Sequence, residues 1–263
     1  MTTIPEQTFA ANVADEARKV AAHYFRSALQ VDDKADSSPV TVADKEIEAY
    51  LRSRIAETFP DHGIFGEEQA PVNLDASMIW VVDPIDGTKS FVTGHPLFGN
   101  LMALLKDGTP WLGQIDMPML GERWQGVAGT PTLHNGQPCR TSGCTTLSEA
   151  RAYTTDPLLF TGPAKAAFDA LADSTHLLRF GGDCYNYGLL ASGHCDIVLE
   201  IAQQPYDYLP VVQVVQGAGG VISDWSGNPL SLASKGEVLA SATPELHDRM
   251  LEKLARTREV AVL

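Results

Sequence analysis

The sequence predicts a two-lobed, layered α/β fold from three observations. Two segments of helical periodicity open the chain, a block of short apolar runs with hairpin punctuation follows, and the second half alternates helix with strand. In the first segment, 6–28, Phe9, Val13, Ala17, Val20, Ala21 and Tyr24 fall on one helical face, and in 43–59 Ile47, Leu51 and Ile55 do the same. The polar, Pro-ended stretch 31–39 between them reads as a loop. Strands are expected at 78–82, 97–105, 111–115 and 123–128, and Lys106-Asp-Gly-Thr-Pro110 reads as a hairpin turn, so part of this sheet is antiparallel. Beyond it, helices near 163–172, 185–192, 208–216 and 244–255 alternate with strands at 196–200 and 221–225. The lobes, 1–145 and 146–263, meet without a flexible linker or internal repeat and are expected to form one catalytic unit.

The chain is 263 residues long, 44% hydrophobic and 20% charged, enough for a full core. Thirty-three acidic against 19 basic residues give a net charge of −14, with no compensating basic run. Nucleic acid and anionic membranes are therefore poor partners. A phosphate ester remains possible where cations or backbone N–H groups reverse the field locally. The longest apolar runs have core-strand length, far below a membrane span of ~18 residues. Cys139, Cys144, Cys184 and Cys195 form no CxxC pair, and the first residues show neither a basic start nor an apolar block, so a reduced, cytoplasmic setting is expected.

The densest chemistry lies in Trp80-Val-Val-Asp83-Pro-Ile-Asp86-Gly-Thr88. An apolar strand is expected to end at Asp83, turn at Pro84 and bring Asp86 back beside it, with Gly87 and Thr88 opening a short helix. Two carboxylates so close repel unless a cation lies between them, and the N–H groups of Gly87 and Thr88 suit a phosphate. The same residues also suit an ordinary strand-ending turn. Gly66-Glu67-Glu68 closes a second apolar run and equally fits a solvated surface pair. Asp207, before an apolar helical stretch, reads as an N-cap, with Pro210 tolerated in the first turn; Asp44 reads as the N-cap of the helix beginning at Lys45. No GxSxG elbow, Walker loop, HExxH or complete dinucleotide fingerprint occurs.

Gly-Glu67-Glu68, Trp-x-x-Asp83-Pro-Ile-Asp86-Gly-Thr88 with Phe91, and an aromatic-Asp207 helix leading to Gly217-Ala-Gly-Gly220 together resemble the inositol monophosphatase family across nearly the whole chain. Gly87-Thr88-Lys89-Ser90-Phe91, Phe180-Gly-Gly-Asp183-Cys-Tyr185 and Pro205-Tyr-Asp-Tyr208 are most similar to its histidinol-phosphatase branch. Ser90, Tyr206, Leu209 and Pro210 depart from the family's common form, which counts against inositol phosphate as substrate but not against the metal chemistry.

The resemblance implies an α-β-α-β-α sandwich, a homodimer, and two or three Mg²⁺ ions held by Glu67, Asp83, the Ile85 carbonyl, Asp86 and Asp207. It further implies that Gly87 and Thr88 hold the phosphate and that Glu67, Thr88 and Asp44 serve the attacking water. Asp183 and Glu200 are expected to face the leaving group, where carboxylates suit the ammonium and imidazole of histidinol better than the hydroxyls of inositol. The expected reaction is hydrolysis of L-histidinol phosphate in histidine biosynthesis. The alternatives are an inositol-phosphate or broad sugar phosphatase, or a non-catalytic binding relative that would ordinarily have lost a ligand carboxylate.

Overall fold

The computed structural model describes residues 4–27, 31–33 and 39–260. Its centre is a seven-stranded sheet in the order Gly63–Gly66, Met78–Asp86, Gly99–Lys106, Thr109–Met117, Glu122–Val127, Leu133–His134, Gln137–Pro138, antiparallel except for the first pair. Alternation along these strands separates two cores. Trp80, Val82, Met102 and Leu104 face helices Pro5–Tyr24 and Val42–Thr58, while Val81, Leu101 and Ala103 face helices Tyr185–Ala191 and Pro205–Gly217. The expected hairpin turn is present: Asp107 and Gly108 have φ of 49° and 76° between paired Lys106 and Thr109, the two positive dihedrals a tight two-residue turn requires.

A five-stranded sheet, ordered Leu177–Phe180, Arg151–Thr154, Ile197–Glu200, Val238–Ser241, Val221–Ser223, covers the other side of the middle helices. Its outer face packs Ala152, Ile197, Leu199 and Leu239 against helices Ala164–Ala172 and Pro244–Val260. Five layers result: helices, sheet, helices, sheet, helices.

The middle helix Pro205–Gly217 carries Asp207, and its seat is set by a pair of glycines. Gly113 and Gly126 face each other across neighbouring strands, and a Cβ at either would collide with a helix carbonyl, that of Pro210 or of Gln213. The helix backbone therefore lies directly on the sheet, with Tyr208 to Val215 buried around it.

Several boundaries differ from expectation. The first helix stops at Tyr24, followed by a left-handed Arg26 at φ 60°. The ends of the expected loop 31–39 pair as antiparallel strands Val31–Asp33 and Pro39–Thr41, and 34–38 lie outside the described residues. The helix expected at 208–216 begins at Pro205, which takes the first-turn position proline favours. Pro210 thus lies in the second turn, where it has no N–H to give the Tyr206 carbonyl.

Candidate metal centre and active site

Strand Gly63–Gly66 runs parallel to Met78–Asp86 with Gly66 opposite Val82, so Glu67 leaves the sheet alongside Asp83. The loop carrying it is held from the outer helix layer. Glu48 accepts from the N–H groups of Glu68 at 2.6 Å and Gln69 at 3.0 Å, and is itself paired with Arg52 at 2.7 Å. Arg52 also donates to the carbonyls of Gln69 and Ala70 at 2.8 and 3.1 Å. A Cβ at Gly66 would strike the Glu48 carboxylate.

Asp83 does not end its strand. Strand pairing continues from Asp83 opposite Leu101 to Asp86 opposite Gly99, with one extra residue inserted as a bulge. Pro84 is tolerated there because a bulge frees a backbone position from the ladder. Asn100, buried opposite the bulge, donates to the carbonyls of Asp83 and Pro84 at 3.1 and 3.3 Å, satisfying acceptors that the distorted ladder leaves. Gly87 then turns at φ 85° into helix Thr88–Val92, and the Thr88 hydroxyl donates to the Ile85 carbonyl at 3.1 Å. The expected turn is thus a bulged strand, with the carboxylates still at one end.

Asp207 and Asp44 are not N-caps. Each occupies the third helical position and reaches back to its cap, Asp207 accepting from the Gln204 N–H at 2.7 Å and Asp44 from the Thr41 N–H at 2.8 Å. These are capping boxes, which fix the carboxylate's direction through one oxygen. One oxygen of Asp44 has no partner although the residue is fully buried, as is also true of one oxygen of Asp83. Asp86 accepts from the Cys184 N–H at 2.6 Å, tying the loop before helix Tyr185–Ala191 to the cluster.

Asp83, Asp86 and Asp207 each direct a carboxylate oxygen to a common point, within 4.8 Å of one another. At an effective dielectric constant near 20, two full charges at this distance repel by roughly 3–4 kcal/mol, so three ionised pairs would cost about as much as a domain's whole stability. Protons or cations must intervene. Burial, then Glu67 and its acidic neighbours, holds the Asp83 carboxyl well above the usual range; burial and Asp207 push Asp86 to about 7. Asp207 is pushed to about 7 by burial and Glu67, against its Gln204 hydrogen bond. Burial raises Asp44 as well, against its Thr41 bonds and aided by Glu67. Hard, anionic oxygens gathered in this way suit a divalent cation such as Mg²⁺.

Glu67, Asp86, Gly87, Thr88 and Asp207 line one cavity of about 380 Å³ together with Asp183 and Glu200 from the second sheet's side. Asp183 sits at φ 46°, its carboxylate against Gly87 and accepting from the Ser90 hydroxyl at 3.3 Å. Burial and Asp86 push its pKa to about 7. Glu200 is buried rather than a surface strand end, and accepts from the Thr155 N–H and hydroxyl, both at 2.8 Å, and from the Thr154 hydroxyl at 3.3 Å. Burial pushes it to about 8 despite these bonds. Its oxygens thus hold the end of strand Arg151–Thr154 while lining the cavity.

Sequence reasoning passed over Glu48, Arg52, Asn100 and the Cys184 N–H, which position the acids. Only Glu48 and Arg52 carried a local signal, their i, i+4 spacing, and that pattern ordinarily marks a solvated helix face.

With this geometry in hand, similarity to known proteins is decisive. The profile of the inositol monophosphatase family matches residues 5–259. The chain belongs to the inositol monophosphatase family. A relative from Arabidopsis thaliana, "Bifunctional phosphatase IMPL2, chloroplastic", is 43% identical over 92% of this chain and 72% of its own length. A histidinol-phosphatase from Chlorobaculum parvum is 36% identical over 90% and 92%. Among solved structures, an inositol monophosphatase from Zymomonas mobilis superposes with a TM-score of 0.86 at 42% identity, covering 94% of this chain and 96% of that one. The layered fold and the phosphatase class follow. This family is metal-dependent, in keeping with the acidic cluster, and acts on small phosphorylated substrates. No helix among the described residues is long and apolar enough to cross a membrane.

Proposed function

We propose that this inositol monophosphatase family member is a Mg²⁺-dependent histidinol-phosphatase, converting L-histidinol phosphate and water to L-histidinol and phosphate in histidine biosynthesis. The observation that carries the metal chemistry is the meeting of the Asp83, Asp86 and Asp207 carboxylates within 4.8 Å of one another. Glu67, the Ile85 carbonyl and these three aspartates would hold two or three Mg²⁺ ions. When bound, Mg²⁺ supplies charge neutralisation and an acidified water. The chain's own residues do the rest. Gly87 and Thr88 present N–H groups to the phosphate, Glu67 and the Thr88 hydroxyl align the attacking water, and Asp44 assists a further, weaker metal site and steadies that water. The lobes 1–145 and 146–263 act as one catalytic unit, because Asp207 comes from the second lobe and the other ligands from the first. A homodimer in the cytoplasm, without nucleic-acid partners, accompanies this activity.

Substrate choice falls to Asp183 and Glu200. Asp183, raised to about 7 by burial and Asp86, gains a full charge and an ion pair when a cationic group of the substrate approaches; a hydroxyl offers neither. The 36% identity to a protein named histidinol-phosphatase supports the same choice. An inositol-phosphate or sugar phosphatase would use the same metal ligands, so substrate comparison is the test. In Mg²⁺-dependent turnover over a panel of phosphomonoesters, histidinol phosphate is expected to lead. Asp183→Asn is expected to lower its kcat/KM at least about tenfold, with an aryl phosphate cleaved nearly as before. A preference for inositol phosphate would overturn the assignment.

A further inference from the structure

At the mouth of the catalytic cavity Lys89 of helix Thr88–Val92 meets Asp156 across the boundary between the two sheets, Nζ to Oδ2 3.5 Å. Lys89 is the sole cation among the described residues lining this cavity, whose acids are Glu67, Asp86, Asp156, Asp183, Glu200 and Asp207. The pair is open to water, the Lys89 side chain 74% exposed and that of Asp156 27%. Such a pair is weak, typically worth ~0–1 kcal/mol, and its partners exchange readily. Lys89 follows Thr88 directly and lines the same cavity. Asp156 also shapes the local backbone, because its other oxygen accepts from the Leu158 N–H at 3.0 Å and caps the turn Pro157–Leu159.

From this juxtaposition we infer that Lys89 and Asp156 form an exchangeable ion pair that selects phosphomonoesters carrying their own cation. The inference rests on the phosphomonoesterase activity proposed above. An anionic ester alone can take Lys89 only by leaving Asp156 unpaired at the mouth of an already acidic cavity. An ester with an ammonium group replaces both partners at once, phosphate to Lys89 and ammonium to Asp156, so the number of paired charges is conserved. Asp156 is then a specificity-determining residue outside the metal cluster, and selection arises from exchange rather than from a fixed pocket.

The test compares histidinol phosphate with phenyl phosphate in unmodified protein, Asp156→Asn and Lys89→Gln. Asn preserves the cap, since Asn and Asp serve equally as N-caps, so Asp156→Asn removes charge without loosening the turn. In Asp156→Asn the ratio of kcat/KM values, histidinol phosphate over phenyl phosphate, is expected to fall two- to fivefold through KM, the range an exposed ion pair supports, and the fall is expected to shrink at high salt. Lys89→Gln is expected to raise KM for both esters. An unchanged ratio in Asp156→Asn, or equal loss on both esters, would overturn the exchange. If the unmodified protein cleaved neither ester the proposed activity would fail separately, and the ratio of the two dissociation constants by calorimetry would still decide the role of Asp156.

Discussion

Asp116 and Asp83 are both buried in the seven-stranded sheet, two strands apart, yet they have opposite surroundings. Asp116 receives Arg18 on both oxygens at 2.7 Å and Arg123 at 2.6 Å. Asp83 faces Glu67, Asp86 and Asp207 instead. Asp196, just before strand Ile197–Glu200, follows the first pattern: burial alone would raise it, but hydrogen bonds from Arg151 and Ser142 outweigh that and hold it below the usual range. Away from the acidic cluster and its cavity, the buried carboxylates Asp116, Asp196 and Glu48 are each paired with arginine. A set of acids left facing one another is stabilising only once something outside the chain supplies the charge, so these acids belong to binding.

The sharpest way to break this contrast is one isosteric change at Asp83. Asp83→Asn, and likewise Asp207→Asn, is expected to reduce phosphomonoester hydrolysis to near background because a proposed metal ligand is lost. The metal-free protein is expected to melt at the same temperature or higher, because a repulsion is removed. Full hydrolysis by the unmodified protein in excess chelator would exclude the metal mechanism.

pH offers a second route. Asp86 and Asp207 rise from an ordinary 3.8 to about 7 on folding, so the folded chain binds more protons than the unfolded one between those values. Stability in chelator is therefore full below about pH 4 as far as these groups are concerned, and is lost as pH rises through about 7, by roughly 4 kcal/mol for one such acid taken alone. Mg²⁺ competes with those protons, so the gain in Tm on adding it is expected to be larger at pH 8 than at pH 5. Thermal melts with and without Mg²⁺ check both slopes; a Tm in chelator that rose from pH 5 to pH 8 would show that the acids are not the strained element.

The paired side of the contrast is tested at Asp116. Asp116→Asn keeps the shape but leaves Arg18 without its carboxylate and Arg123 with only the exposed Asp15, and it is expected to destabilise the protein by about 2–3 kcal/mol, less than a fully buried pair because both arginines retain some water. Urea titration reads this directly. A shift of the same sign as that of Asp83→Asn would dissolve the distinction.

How much of this was legible depended on whether the information was local. Glu67, Asp83 and Asp86 announce themselves as candidate ligands because they stand in short, Gly-punctuated motifs, Asp207 because it heads an apolar helical stretch, and the hairpin at Asp107-Gly108 because its dihedrals demand those residue types. The helix starts were misjudged for a physical reason: a carboxylate at the third position of a capping box and one at the cap differ only in where the helix begins. The strand bulge at Pro84 was not legible, since its carbonyls are satisfied by Asn100, sixteen residues away on another strand. The same holds for Asp116, whose ion pair with Arg18 joins residues 98 apart in the chain, and for Glu200, whose burial follows from the strand beside it.

The smallest expected effect separates holding a cation from using it. Thr88 follows the cluster directly, and its hydroxyl donates to the Ile85 carbonyl, an oxygen proposed to face the metal. If that hydroxyl only closed the first turn of helix Thr88–Val92, Thr88→Ala would cost a few tenths of a kcal/mol to about 1 kcal/mol in stability and nothing in turnover. If it aligns the attacking water with Glu67, the lost contact belongs to the transition state, and kcat is expected to fall about tenfold or more, ~1.4 kcal/mol, with KM little changed. Thr88→Ser restores the hydroxyl without the methyl and is expected to recover most of kcat. Equal kcat values for the Ala and Ser variants would leave Thr88 as part of the scaffold, and the water's alignment would then fall to Glu67 and Asp44 alone.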